Sequence, residues 1–62
     1  MSRRLVRTKE AAIYLGMSPG KLRLLTQSGE LLVIQHDERS PFLYDVRDLD
    51  DYIEKNKRRM IF

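Results

Sequence analysis

The strongest constraint on the fold is a helix stop that is followed almost at once by a helix start. Gly16 can end one helix, because glycine adopts the left-handed backbone of a helix C-terminus without steric cost. Ser18 is a favourable N-cap and Pro19 a favourable first residue for the next helix. Only Gly16 and Met17 separate the two helices, and so short a glycine-containing connection predicts helices that cross at a steep angle.

Local signals also place the other ends of these two helices. The first helix is predicted to start near Thr8 as its N-cap, with Glu10 in the first turn, where the helix dipole favours an acid. In the second helix Leu22 and Leu25 are three residues apart and share one face. Gly29 is predicted to end it.

The sequence after Gly29 favours strands. Residues 31–35 and 42–44 are β-favouring runs, and the polar, proline-containing residues 36–41 between them are typical of a hairpin tip. We therefore expect a short two-stranded hairpin over residues 31–46.

A third helix is predicted to follow the hairpin. Asp45 is its N-cap, Asp48 can add a reciprocal cap, and Tyr44 can pack onto Leu49 across the helix start. Cations after residue 54 suit a helix C-terminus. The apolar stripe of this helix is Leu49, Tyr52 and Ile53.

Together the elements predict a mainly α fold with a small β-hairpin, in a single domain over residues 1–62. A basic N-terminal arm (residues 1–6) and a basic and apolar C-terminal tail (residues 55–62) flank it. The tail sequence Met60-Ile61-Phe62 either packs back onto the domain or makes an intermolecular contact. The expected core is Ala12, Leu15, Leu22, Leu25, Val33, Tyr44, Leu49 and Ile53.

The charges are segregated along the chain. Residues 1–28 carry six Lys or Arg side chains and one Glu, a net charge of +5. Residues 29–54 carry two Arg against eight Asp or Glu, a net charge of −6, and residues 55–62 add +4. A basic and an acidic half favour a protein with one face turned toward a polyanion, although segregated surface charge is the simpler alternative.

Several classes of function are excluded on size and composition. A chain of 62 residues buries only about 60% of its unfolded surface, which leaves little for a deep catalytic cleft. With no Cys and a single His, we expect no disulfide, no metal and no cofactor, and no enzyme activity. The longest apolar run, residues 31–34, is far short of the ~20 residues of a membrane span, and no signal peptide is evident, so we expect a cytoplasmic protein.

The sequence resembles a known family of DNA-binding domains over residues 5–54. Thr-Lys-Glu-Ala-Ala at residues 8–12, Leu-Gly-Met-Ser-Pro at 15–19 and Ser-Gly-Glu-Leu at 28–31 look like the MerR-related excisionase family of winged helix-turn-helix domains. Residues 44–52 are similar to the closing strand and last helix of those domains. The small residue, the turn glycine and the two core apolar residues of a helix-turn-helix motif are matched in position by Ala12, Gly16, Leu22 and Leu25.

The resemblance implies binding to double-stranded DNA, with the second helix (about residues 18–28) in the major groove and the hairpin 31–46 as a wing. The chain departs from the family at Arg7, where relatives carry a capping Ser or Thr, and in the wing, where Asp37 and Glu38 adjoin Arg39. Leu24 could contact a thymine methyl, but we expect it to cover the edge of the core. The DNA-binding residues that the resemblance implies by position are Ser18, Pro19, Gly20, Lys21, Arg23 and Gln27 on the helix, with His36 and Arg39 on the wing. We also expect Arg7 to contact DNA, and Arg3 and Arg4 either to form an arm that follows the phosphate backbone or to be a disordered tail.

Two classes of function remain open, and the first is a DNA-binding protein. As an excisionase it would bend DNA for an integrase, and as a transcription regulator it would occupy an operator near RNA polymerase. In either role it would be nucleoid-associated when bound and could assemble as a homo-oligomer on DNA. The alternative is a protein-interaction adaptor or antirepressor that uses the acidic third helix.

Overall fold

The computed structural model describes residues 4–61, which form three helices and one two-stranded antiparallel sheet. The chain is therefore mainly helical, with a shape compatible with a winged helix. The first helix packs against both other helices and both strands. In chain order the elements are β1 (Leu5–Arg7), α1 (Thr8–Leu15), α2 (Pro19–Gln27), β2 (Leu43–Asp45) and α3 (Val46–Asn56).

Both glycine stop signals are confirmed. Gly16 follows α1 with φ 70°, and Gly29 follows α2 with φ 85°. In each case two backbone hydrogen bonds close the last turn in the Schellman pattern. For α1 these run from the amide of Gly16 to the carbonyl of Ile13 and from Met17 to Ala12. Two of the carbonyls at the end of each helix are therefore paired where the helix stops.

The helix starts are confirmed for α2 and α3 and wrong for α1. The Ser18 hydroxyl accepts from the Lys21 amide at 3.2 Å, and the Asp45 carboxylate accepts from the Arg47 amide at 2.9 Å. The N-cap of α1 is Arg7, not Thr8, and its side chain makes no capping hydrogen bond. The reason is that Arg7 is still paired in β1, so α1 begins directly after the strand. The return hydrogen bond expected from Asp48 is not formed.

The predicted hairpin is only partly present. Its second strand exists as β2, but β2 pairs with β1, in the register Val6 opposite Tyr44. Residues 31–35 form no strand; a single bridge joins Ile34 to Leu43, with both hydrogen bonds at 2.8 Å. Leu31 is buried and Val33 half-buried, so this segment packs onto the core with little strand pairing.

The core differs from expectation at its margins. Leu15 and Val33 are partly buried against the core, and Ile53, although half-buried, lies outside the cluster. Ala11 and Leu31 are buried and were not expected. The buried cluster comprises Ala11, Ala12, Leu22, Leu25, Leu31, Tyr44 and Leu49.

Tyr44 links the sheet to α2 through a hydrogen bond. Its side chain is 1% exposed, and its hydroxyl lies 2.8 Å from the Thr26 hydroxyl. Because Thr26 donates its only hydroxyl hydrogen to the Leu22 carbonyl at 2.9 Å, Tyr44 is the donor to Thr26. The largest buried side chain thus has its one polar atom paired, which avoids the cost of an unsatisfied buried group.

Asp45 joins the N-terminal segment to α3. The Arg4 guanidinium donates to the carboxylate oxygen that does not cap α3, with N–O distances of 2.9 and 3.0 Å. The Val46 amide donates to the Arg4 carbonyl at 2.8 Å. The N-terminal segment is therefore part of the fold from residue 4 onward, whereas Arg3 lies outside the described residues.

None of the helices within residues 4–61 combines the length and the apolar character that a bilayer crossing requires.

The two faces of α2 give a matched test of the core. Leu22 is fully buried, so Leu22→Ala should lower the free energy of unfolding by roughly 2–5 kcal/mol. Leu24 is 65% exposed on the same helix, and Leu24→Ala should change it by no more than about 0.5 kcal/mol. Urea unfolding followed by circular dichroism measures both. Equal losses in the two variants would mean that the faces of α2 are assigned incorrectly.

Asp45 should make the free energy of unfolding depend on pH in the acid range. Its pKa is lowered, first by the hydrogen bond from Arg4 and then by the one from the Arg47 amide. A lowered folded pKa gives stability that is complete above the unfolded pKa, about 4, and lost as the pH falls through the folded value. Asp45→Asn keeps a capping side chain without the charge. Between pH 5 and pH 2 the urea midpoint of this variant should therefore fall less than that of the parent, because the part of the fall that comes from protonation of Asp45 is removed. Asp51→Asn is the matched control, because it removes an exposed carboxylate of α3 that makes no hydrogen bond or ion pair within residues 4–61.

Candidate nucleic-acid interface

The second helix has one face for the core and one for solvent. Leu22 and Leu25 are buried, whereas Gly20, Leu24 and Gln27 are exposed. The exposed three are spaced i, i+4 and i+7, which places them in one stripe along the helix. We call this the outward stripe of α2. No contact within the described chain covers it.

Two cations flank the outward stripe. Lys21 and Arg23 are two residues apart, roughly 200° around a helix, and so lie on opposite sides of the stripe. Both side chains are exposed, and within residues 4–61 neither forms an ion pair or a side-chain hydrogen bond. Both are therefore available to an anionic partner.

The first turn of α2 is sterically open. Ser18 and Pro19 are exposed, and the Ser18 hydroxyl is engaged in capping. A methyl group added at Gly20 would meet no atom closer than the Ser18 hydroxyl oxygen, at 4.0 Å. Gly20 also lacks a positive φ. Nothing in the fold therefore requires glycine here, although glycine costs a helix stability relative to alanine.

Asp37 shapes the tip of the loop of residues 35–42, which we call the wing loop because the sequence resemblance predicts a wing there. Its carboxylate accepts from the amides of Arg39 at 2.8 Å and Ser40 at 2.9 Å. The Gln35 side chain donates to the Ser40 carbonyl at 2.9 Å and closes the base of the turn. The pKa of Asp37 is lowered, chiefly by the hydrogen bond from the Arg39 amide. The acid that departs from the family pattern is therefore a turn-forming residue.

The remaining predicted contacts lie at two other places. His36 and Arg39 are exposed in the wing loop. Arg7 is exposed at the end of β1, opposite Leu43, which is bridged in turn to Ile34 at the base of the wing loop. All nine predicted site residues are exposed, but only the six from Ser18 to Gln27 share one element. Arg7 is connected to the wing loop and not to α2.

Two residues differ from their predicted roles. Leu24 does not cover the core, since it is 65% exposed in the middle of the outward stripe. Its i+4 spacing from Gly20 was the signal that could have placed it there. Arg4, a candidate phosphate contact, is paired with Asp45, which raises its pKa.

The third helix carries the acidic side chains. Asp51 and Glu54 are exposed, and Asp48 is half-buried. Asp50 accepts a 2.6 Å hydrogen bond from the Tyr14 hydroxyl, which joins α1 to α3 and raises the pKa of Tyr14. Across residues 4–61 no three His, Asp or Glu side chains are grouped closely enough to hold a metal ion. The acids of α3 thus form a solvated surface.

No family model, curated protein or solved structure matches the chain. The resemblance to the excisionase family therefore rests on the sequence motifs alone, and the arrangement of the exposed residues is the independent basis for a functional proposal.

Proposed function

We propose that this protein binds double-stranded DNA in a sequence-specific way, as a winged helix-turn-helix domain with α2 in the major groove. The observation that carries the proposal is the outward stripe of α2, an uncovered helix face with small residues at its start and unpaired cations on both flanks. B-DNA's major groove admits an α-helix, and the N-terminal residues of such a helix reach base edges.

The chemistry of the flanks supports distinct roles for the two cations. Arg23 lies about one turn into α2, and a guanidinium can donate two parallel hydrogen bonds to guanine O6 and N7. Lys21, nearer the helix start, is a flexible point charge that suits a phosphate. We propose Arg23 as a base contact and Lys21 as a backbone contact.

The wing loop supplies a second contact region in this proposal. Arg39 and His36 would approach the phosphate backbone or the minor groove, with Arg7 near the base of the loop. The turn held by Asp37 fixes the backbone at the tip of the loop, so less backbone needs ordering when DNA binds. In the cell the domain would act as an excisionase with an integrase or as a regulator near RNA polymerase, with several copies assembled on DNA.

The second candidate is a protein-interaction adaptor or antirepressor that binds through α3. It is favoured by the exposed carboxylates of that helix, which no fold requirement explains beyond Asp50. Binding between proteins and binding to DNA differ in their response to salt, so one titration separates the two.

The test is a titration of the chain with a long mixed-sequence duplex at several salt concentrations. Three or four phosphate contacts predict a slope of log K against log salt of about −3 to −4. Absence of any complex at low salt would contradict the proposal and favour the adaptor. A site selected from random duplexes then provides the cognate sequence for the variants below.

Alanine variants of the two flanking cations should change the affinity for the selected cognate duplex in different ways. Arg23→Ala should cost about 1–3 kcal/mol of cognate binding and relax the preference at one base pair. Lys21→Ala should weaken cognate and random duplexes alike and reduce the salt slope by about one unit. Gel-shift competition measures both. If Arg23→Ala weakens the two duplexes equally, the Arg23 side chain contacts phosphate, and specificity must come from elsewhere, such as DNA deformability.

Gly20→Ala separates folding from binding. Alanine fits the open space and favours the helix, so stability should rise by up to about 0.5–1 kcal/mol. If the start of α2 lies close to a base edge or phosphate, the same methyl group should weaken DNA binding. Thermal unfolding and gel shifts on one preparation measure both quantities. Unchanged or tighter binding by this variant would contradict close approach at Gly20.

A further inference from the structure

A groove lies between the segment after α2 and one side of α3. Its volume is about 260 Å³, and Glu30 and Leu32 line it from one wall, with Asp48, Asp51 and Tyr52 on the other. We infer that this groove binds residues 57–61 of a second copy of the chain. The inference concerns self-association and does not require DNA binding.

The groove has a net negative charge. Glu30, Asp48 and Asp51 oppose a single cation, Lys55. Within the described chain neither Asp48 nor Asp51 accepts a hydrogen bond or forms an ion pair. Glu30 accepts only from the Ser28 hydroxyl, at 3.2 Å. A cationic occupant would therefore meet two carboxylates, those of Asp48 and Asp51, that have no competing partner within residues 4–61.

Each wall of the groove also carries an apolar side chain. Leu32, which is 68% exposed, lies on the same wall as Glu30. Tyr52 is half-buried and presents the edge of the core to the groove. The occupant should therefore combine cations with apolar side chains.

Residues 57–61 have this combination. Arg58 and Arg59 are exposed without a partner in the described chain, and Met60 and Ile61 follow at 69% and 88% exposed. The chain leaves α3 in an extended conformation at Lys57, with φ −69° and ψ 133°. Lys57 pairs with Glu54 at 2.7 Å, so the two arginines carry the free charge. DNA would match the arginines, but it would leave Met60 and Ile61 exposed.

Such a contact is heterologous, because the segment of one copy occupies the groove of the next. Five residues bury much less than the roughly 1,200–2,000 Å² of a stable interface, so association in free solution should be weak. Copies held side by side on one polymer would associate far more readily, since their effective concentration is high.

The test is sedimentation equilibrium of the full chain without DNA, at low salt and up to millimolar concentration. The parent should associate, and the association should weaken as salt rises. One variant reverses the charge of residues 57–61 (Arg58→Glu with Arg59→Glu), and another reverses the charge of the groove (Glu30→Lys with Asp51→Lys). Each alone should associate about tenfold more weakly, and their equimolar mixture should recover association in complexes that contain both variants.

The control reverses the charge of two exposed cations that do not line the groove, Lys9→Glu with Arg47→Glu, and should associate like the parent. Circular dichroism verifies that every variant is folded, as expected for exposed side chains. A parent that stays monomeric at millimolar concentration would overturn the inference, including the case in which each copy fills its own groove. Association that both reversed variants retain would overturn it as well.

Discussion

Tyr44 is the side chain on which the other elements depend. Its ring fills the core at 1% exposure, its hydroxyl donates to Thr26 on α2, and its backbone pairs with Val6 in β1. The next residue, Asp45, caps α3 and holds Arg4. Two adjacent residues therefore fix the positions of a strand and two helices. In a chain too short for a large core, such shared contacts replace the area that a larger domain would bury.

Because these shared contacts involve only the inner side of α2, the fold does not use the opposite face of this helix. The inner side of α2 supplies Leu22, Leu25 and the Thr26 hydroxyl to the core, whereas Gly20, Leu24 and Gln27 are exposed to solvent. The glycine is the most informative of the three, because the backbone geometry and the space around it would both accept alanine. The fold does not require a glycine at position 20, whereas close approach of DNA to the start of α2 would. This links the packing of α2 to the proposed function.

The parts of the fold that sequence predicted are those governed by local chemistry. Gly16, Gly29 and the pair Ser18-Pro19 act within one helical turn, so their effects could be derived from residue type alone. The pairing of β1 with β2 joins residues about 40 positions apart, and the three-residue β1 has no periodic pattern to reveal it. Arg7 shows the consequence, since its strand pairing moved the start of α1.

The same division between local and long-range effects applies to the candidate site. The six residues from Ser18 to Gln27 could be placed on one exposed helix by spacing, and the turn held by Asp37 is likewise local, since it joins residues two and three positions apart. The pairing of Arg4 with Asp45 spans 41 positions and depends on tertiary structure.

The central claim is that the outward stripe of α2 faces the partner. Amide chemical shifts measured while a short duplex is titrated into the labelled chain at low salt test it most directly. The account predicts that the largest shifts fall on Gly20, Lys21, Arg23, Leu24 and Gln27, with smaller ones at the wing loop and none centred on α3. Shifts centred on Asp48 and Asp51, or no shifts at all, would contradict it.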